Sequence, residues 1–377
     1  MKVLFVVNIP SPYRVEFFSR LGEKCDLTVL FERHKASNRD NSWYPKEQSS
    51  TYKSIFLKSI KLGSDLSISL EIVKYLRQKY DFIVLGMYSS PTEQLAISYL
   101  HLHGIKFILS TDGGFISNES PIKRRLKQSL IGSASNWLST GKFADTYLTY
   151  YGAKATRIYR YPFTSLHRSD VLPIQISKEE KQNLRISLDL PKEKILISVC
   201  RFVGWKGLGR LVQIMRSLEN KSSLCLVLVG GTREELTDLI DGEIPHNIIV
   251  RGFMSKDHLF KYYQAADAFV LLTEYDPWGL VINEAMANGL PVISTPNCGA
   301  ALELIESGKN GYIVNPDTQD NNSILDAINR VLNLEADLSI NYSLLKIKNY
   351  TYDQMVSAHL NAFNQIKYAD SINADVN

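Results

Sequence analysis

Two carboxylates, Asp276 and Glu284, stand eight positions apart in the stretch TEYDPWGLVINEAMANGLPVIST, and a third, Glu274, lies just before them. Pro277 and Gly279 break an apolar run there, and the spacing predicts a helix from about Leu280 to Asn288 with Gly289 just past its end. Glu284 then lies one turn beyond Leu280 on the same face, where a carboxylate can accept two hydroxyl hydrogen bonds, as from a ribose. Asp276 precedes the helix start, toward which the unpaired N–H groups of a first turn point. An earlier loop, RFVGWKG, sets Arg201 and Lys206 beside a strand-to-helix turn that Gly204 and Gly207 permit. Two cations next to oriented N–H groups suit a diphosphate. The competing reading is plain: Arg201 and Lys206 are solvated, Asp276 caps the helix, and Glu284 faces water.

Composition sets the frame for these residues. A chain of 377 residues is comfortable for two domains, and 45% apolar with 22% charged residues is ordinary for a globular protein. Forty-three basic against 39 acidic side chains give a net charge of +4, which excludes a global nucleic-acid signature, so no nucleic acid is expected as a partner. Cys25, Cys200, Cys225 and Cys298 have neither CxxC nor zinc spacing, and read as packing residues of a reducing compartment. The opening KVLFVV reads as a first strand rather than a signal peptide, and no run of about 18 apolar residues suggests a membrane span. A cytoplasmic location is the expectation.

The elements that must position the site alternate. KVLFVV, DLTVLFE, DFIVLGM and KFILST are continuous, β-branched runs separated by helical periodicity, as in strands buried on both faces of a parallel sheet. The rhythm pauses after Pro162 and restarts with KILISVC, LVLVGG, NIIVRG, AFVLLT, PVIST and GYIVNP, before a final helix pair and a frayed tail. Two βαβ series in tandem imply an α/β protein of two doubly wound domains, residues 1–167 and 168–349; a helix at about 350–370 is a further expectation, packing back on the first. Ligands of such sheets bind beyond the carboxyl ends of the strands, where the loops above fall. Two such domains facing each other would enclose a cleft.

DPWGLVINEAMANGLPVIST resembles the signature of retaining GT-B glycosyltransferases of family four, and SVCRFVGWKG is similar to that family's diphosphate loop. LVLVGG, RGFM and NGYIVNP follow in the expected order, so the resemblance covers most of residues 190–335. It implies a GT-B fold and transfer of a hexosyl unit from a nucleotide sugar, with UDP the commonest base, to a hydroxyl acceptor with retention. Arg201 and Lys206 would bind the donor diphosphate, Glu284 the ribose, and Asp276 the sugar hydroxyls. Backbone groups near Gly279 and Leu280 would meet the sugar or phosphate, and Phe253 and Met254 would line the base pocket. No cofactor and no DxD-type metal site are implied. Asp276 stands where the family usually has Glu, so Glu274 is a candidate assistant; Cys200 stands where the loop usually has Gly.

In the N-terminal half, NIPSPYRVEFF resembles the first loop of bacterial members that build surface polysaccharides, which offers Tyr13 and Arg14 to acceptor or phosphates. Pro10 and Pro12 would stiffen that loop. Asp112 of STDGG stands near where many members carry a catalytic-site His; a turn residue is the other reading. The resemblance makes a saccharide or lipid-linked saccharide the acceptor. PIKRRLKQSLIGSA sets Ile122, Leu126 and Leu130 on one stripe beside Lys123, Arg124, Arg125 and Lys127, which suits peripheral contact with anionic lipid on the inner face of the membrane, against a solvated helix packed on its own sheet. A nucleotide-sugar epimerase or a non-catalytic nucleotide-sugar-binding subunit on the same fold are the alternatives. The missing GxGxxG after the first strand argues against a dinucleotide oxidoreductase.

Overall fold

The computed structural model describes residues 1–35, 51–63 and 66–375. Two compact units form, Met1–Thr164 with Tyr352–Asn377, and Ser165–Thr351. In the first, β1 (Lys2–Val7) leads to α1 (Pro12–Gly22), β2 (Asp26–Phe31), β3 (Lys53–Phe56), and an antiparallel hairpin of β4 (Ile60–Lys61) and β5 (Ser67–Ile68). Then come α2 (Ile72–Leu76), β6 (Phe82–Leu85), α3 (Pro91–Leu102), β7 (Ile108–Thr111), α4 (Pro121–Gly132), β8 (Asn136–Ser139), α5 (Lys142–Tyr150) and β9 (Ile158–Arg160). The second unit contains α6 (Lys178–Ser187), β10 (Ile195–Val199), α7 (Leu208–Leu218), β11 (Cys225–Val229), α8 (Arg233–Thr237), β12 (Ile248–Arg251), α9 (Lys256–Ala265) and β13 (Ala268–Leu271). It continues through α10 (Leu280–Ala287), β14 (Val292–Ser294), α11 (Gly299–Leu304), β15 (Gly311–Ile313), α12 (Asn321–Leu332) and α13 (Ala336–Ile347), after which α14 (Tyr352–Asp375) returns to the first unit.

Both large sheets are wholly parallel, in the orders β3-β2-β1-β6-β7-β8-β9 and β12-β11-β10-β13-β14-β15. Each therefore reverses direction beside its first strand, between β1 and β6 and between β10 and β13. That reversal opens a crevice at the carboxyl ends of the strands, because the two flanking helices leave toward opposite faces. The apolar runs of β1, β10 and β11 are buried almost throughout, as covering on both faces requires. One core lies beneath α2 to α5, around Leu85, Leu109 and Trp137; its counterpart in the second unit gathers Leu211, Leu228 and Ile328.

Several local readings change. Pro12 is the first residue of α1 rather than part of a stiffened loop, since a helix N-terminus tolerates its missing N–H, so Tyr13 and Arg14 ride on the helix's first turn. Strands β3 and β9 and the β4–β5 hairpin carry no strong periodic signal and went unrecognised. The last structured region comprises three helices, α12 to α14, rather than two, and α14 continues to Asp375 where a frayed tail was expected.

Helix α14 packs on α1, with Arg20 Nη1 2.7 Å from Asp353 Oδ1, and the rings of Phe17 and His359 4.6 Å apart. His359 is buried beside the rings of Phe5, Phe17, Tyr161 and Phe363, and its Nδ1 bonds the Met355 carbonyl at 2.8 Å. Burial lowers its pKa from 6.5 to about 4. Folding therefore excludes a proton that the unfolded chain binds: the stability contributed is complete above about pH 6.5 and is lost as the pH falls toward 4. The loss attributable to this group is up to about 3 kcal/mol. In urea titrations at pH 7.5 and 5, His359→Asn is expected to lose markedly less stability than wild type over that interval; parallel losses would refute the assignment.

Candidate active site

The switch point of the second unit brings together two loops that lie about seventy residues apart in sequence. After β10 the chain runs through a 3-10 turn, Gly204–Lys206, into α7; after β13 it runs through Thr273–Gly279 into α10. The Trp205 carbonyl ties them, accepting from the Glu274 N–H at 2.8 Å and the Thr273 hydroxyl at 3.1 Å. The clasp sets Lys206 Nζ 2.6 Å from Asp276 Oδ2, with both side chains mostly buried. Arg201 stands over the Trp205 ring at 5.9 Å. A cation and a carboxylate thus share one spot where two helices begin.

Gly207 makes the close approach possible. Its φ of +72° is the left-handed conformation that glycine adopts freely, and a Cβ there would lie 2.0 Å from the Leu272 carbonyl oxygen. Gly204 has open space where a Cβ would go and no positive φ, so of the two glycines read as turn formers only Gly207 is required. Gly207→Ala is expected to destabilise the second unit by at least about 3 kcal/mol, from strain plus backbone displacement. Gly204→Ala should be close to neutral. Thermal unfolding of the pair checks the contrast, and equal shifts would contradict it.

Asp276 does not cap α10. The cap position is Gly279, itself left-handed at φ +93°, and Asp276 Oδ1 accepts instead from the Trp278 N–H at 3.2 Å. Glu284 is half-buried and held rather than freely solvated. Its carboxylate accepts from the Ser165 hydroxyl at 2.9 Å and from the Tyr263 hydroxyl at 3.4 Å. Burial pushes its pKa up, opposed by the Ser165 bond and the Lys256 charge. Lys256 is itself held by Asp170 and the Ser165 carbonyl. Leu280 opens α10, half-buried; Glu274 and Phe253 are exposed, and Met254 is half-buried after β12. The structure gives Glu274 no place in the Lys206–Asp276 pair, so it is not an assistant there in this conformation.

In the first unit, Arg14 lies on α1 beyond β1 and Asp112 beyond β7. Arg14 Nη2 approaches Asp112 Oδ2 at 3.4 Å, and Nη1 approaches Asn8 Oδ1 at the same distance. Tyr13 packs edge-on against Phe163, ring centroids 5.5 Å apart. Burial pushes the neighbouring Tyr161 hydroxyl well above its usual pKa, keeping it neutral beside Asp112. The structure therefore joins Arg14 to Asp112 in the first unit and Lys206 to Asp276 in the second.

The basic helix α4 divides its cations. Lys127 turns inward to Glu119 at 2.9 Å, and Arg124 stands over the Tyr150 ring at 5.7 Å. Lys123 and Arg125 point outward, and of the stripe only Leu130 is buried. Among the described residues no helix is long and apolar enough to cross a membrane. The segment RYPFTSL, which contains Ser165, resembles one that enters the linker near the site, but that Ser165 and Tyr263 hold Glu284 is not legible in sequence, because nothing local connects positions 165 and 263 to position 284.

Two tandem Rossmann-like units with their site at a switch point define the GT-B class, and solved structures agree. Sucrose-phosphate synthase from Thermosynechococcus elongatus superposes with a TM-score of 0.72 at 18% identity, over 97% of this chain and 99% of that one. The Anabaena protein HepE, solved in complex with UDP and glucose, gives 0.71 at 17% identity, over 98% and 99%. Residues 180–352 match the sequence model of the family described as Glycosyl transferases group 1. An uncharacterised glycosyltransferase of Methanocaldococcus jannaschii is 35% identical over 163 residues, 42% of this chain and 41% of that protein. A sulfoquinovosyl transferase of Arabidopsis thaliana is 30% identical over 147 residues, 38% of this chain and 28% of that protein. The alignments thus span less than half the length of either relative.

Proposed function

We propose that this protein is a retaining glycosyltransferase that moves a hexosyl unit from a nucleotide sugar, with UDP as its base, to a hydroxyl of a saccharide or lipid-linked saccharide in surface-glycan synthesis. The observation that carries the reading is the Lys206–Asp276 contact at the β10/β13 switch point, at the start of the helix that carries Glu284. Neutral hydroxyls suit Asp276 and Glu284, and an anionic diphosphate suits Lys206 and Arg201, so one elongated ligand satisfies the whole set. HepE, with its bound UDP and glucose, supports that donor class.

In the reaction the bond from the sugar's anomeric carbon to the diphosphate breaks, and charge accumulates on the leaving oxygen. Lys206 and Arg201 stabilise that charge electrostatically, so no resident metal or cofactor is invoked. The acceptor oxygen bonds the anomeric carbon on the face the diphosphate leaves, and its proton passes to a diphosphate oxygen. Asp276 orients the donor sugar through its hydroxyls, and the shorter side chain in place of Glu gives it a role in sugar preference. Tyr13 and Arg14 act on the acceptor or the donor phosphates, and Asp112, beside Arg14, is the catalytic residue at the reacting sugar. The outward cations of α4, Lys123 and Arg125, face anionic lipid at the inner membrane surface.

Relatives named as transferases and synthases do not favour an epimerase or a non-catalytic subunit. The decisive experiment incubates purified protein with a panel of UDP-, GDP- and ADP-sugars, with and without saccharide acceptors, and follows nucleotide release. Slow hydrolysis or transfer from a UDP-sugar is the expected result. Sugar interconversion without an acceptor would establish the epimerase instead, and no turnover or binding of any donor would overturn the proposal.

A further inference from the structure

Glu93 breaks a rule that the same chain follows elsewhere. In a Ser/Thr-x-x-Glu helix start, the Glu carboxylate returns to the N–H of the cap residue. Ser177 with Glu180, and Thr232 with Glu235, form that reciprocal pair. Ser90-Pro91-Thr92-Glu93 opens α3 with the same spacing, and the Ser90 hydroxyl accepts from the Glu93 N–H at 3.0 Å. The Glu93 carboxylate does not return. It is fully buried, and among the described residues neither of its oxygens has a hydrogen-bond partner. Burying a carboxyl group this way is costly when a bond to its own helix cap lies within reach.

Its neighbours are charged. Adjacent strands β2, β1, β6 and β7 set Glu32, Arg14, Glu93 and Asp112 just beyond their carboxyl ends. Glu32 is 3% exposed and accepts from the Ser90 hydroxyl at 2.5 Å, so both glutamates meet at the cap of α3. Burial pushes both pKa values up, and the Glu32 charge pushes Glu93 further, against Arg14 and the Met87 N–H. The Ser90 bond and the Arg33 charge favour ionised Glu32, so the pair carries one negative charge on Glu32 and one proton on Glu93. With Asp112, two negative charges face the single guanidinium of Arg14.

That balance selects a ligand. Arg14 lies 3.4 Å from both Asp112 and Asn8, the outer limit of a hydrogen bond, so bonding capacity remains on each side. The Arg14 side chain is 13% exposed and that of Asp112 29%. A phosphate brought here meets uncompensated negative charge where water screens it poorly. A hydroxyl meets no such conflict, because it donates to Asp112 while accepting from Arg14. An aromatic wall stands beside them. The Thr140 hydroxyl donates to the Asp112 carbonyl at 3.3 Å, tying the loop after β8 to the loop after β7. Three residues further along each, Phe143 and Phe115 stand half-buried with ring centroids 4.5 Å apart. Aromatic faces attract the polarised C–H groups of a sugar ring.

We propose that the Glu32–Glu93 pair is a specificity determinant of the acceptor subsite: its charge sets Arg14 and Asp112 to take the hydroxyls of a neutral saccharide and to reject a phosphorylated one. The inference rests on the reading of the first unit as the acceptor side. It assigns Arg14 to acceptor hydroxyls rather than to donor phosphates.

The test measures binding of glucose, galactose, mannose and N-acetylglucosamine, each against its 6-phosphate, to the full chain by saturation-transfer NMR in the presence of UDP. At least one neutral sugar is expected to bind, about tenfold or more tighter than its phosphate. Glu32→Gln with Glu93→Gln keeps both shapes and removes the charge, which should narrow that ratio to within about threefold by strengthening the phosphate. Its unfolding temperature should equal or exceed that of wild type, because a buried unpaired acid is gone. Asp112→Asn, at a half-buried position, should narrow the ratio in the same direction and keeps the test open if the double variant does not fold. A phosphate bound as tightly as its neutral sugar by wild type would overturn the proposal. So would the absence of binding by every neutral sugar, or an unchanged ratio in a folded charge-removing variant. Sugar discrimination without donor turnover would count against the transferase reading and leave the charge selection standing, whereas donor turnover with a phosphate preference would do the reverse.

Discussion

Lys206→Ala is expected to lower kcat by about 10²- to 10³-fold while changing the donor KM by only a few-fold. The reason is where charge appears. The diphosphate is already anionic in the ground state, but its leaving oxygen gains further charge as the glycosidic bond breaks. A cation placed at that oxygen therefore stabilises the transition state more than the bound donor. In the structure this cation is held 2.6 Å from Asp276 and tied in place by the Trp205 clasp, so it requires little reorganisation at the moment of reaction. Lys206→Arg keeps the charge and should recover part of the rate. Steady-state kinetics with a saturating acceptor make the comparison. Turnover within about threefold of wild type would remove Lys206 from the leaving-group role, whatever the donor proves to be.

Glu284→Gln should produce the opposite split: a donor KM raised by about 10- to 100-fold with kcat little changed. A ribose hydroxyl lies far from the reacting carbon and carries the same charge throughout the reaction, so its hydrogen bonds contribute equally to ground and transition states. Ser165 and Tyr263 fix the carboxylate's position, and the neutral amide retains its shape while weakening its acceptor strength. Donor affinity measured by calorimetry with free UDP should fall in parallel. A loss of kcat at unchanged KM would instead place Glu284 near the chemistry. The two variants together thus separate a group that grips the donor from one that acts on its leaving bond.

Sequence and structure divide unevenly over these residues. The order of strands and helices was legible because a strand covered on both faces must be continuously apolar, and β1, β10, β11 and β13 are. The α10 start was legible because Pro277 and Gly279 punctuate the chain in ways few other residues do. The hairpin β4–β5 was not, for an instructive reason: its apolar residues face water and its serines face inward, so the pattern that normally reveals a strand is reversed. Strand β3 was missed because it lies at the sheet edge, only partly buried, with little apolar signal of its own.

The candidate site divides in the same way. Arg201, Lys206, Asp276 and Glu284 could be named from residue type, spacing and resemblance, since each falls directly after a predicted strand or within the helix that follows. What the sequence could not decide was their state. Whether Asp276 capped a helix or met a cation, and whether Glu284 was solvated or gripped, depends on contacts with residues tens to more than a hundred positions away. The Lys206–Asp276 contact exists because the sheet reverses between β10 and β13 and Gly207 lets the two loops approach, and Glu284 is held by Ser165 and by Tyr263 of α9. The chain's local chemistry determined which groups stand at the carboxyl ends of the strands; the parallel strand order, a property of long-range pairing alone, decided which of them touch.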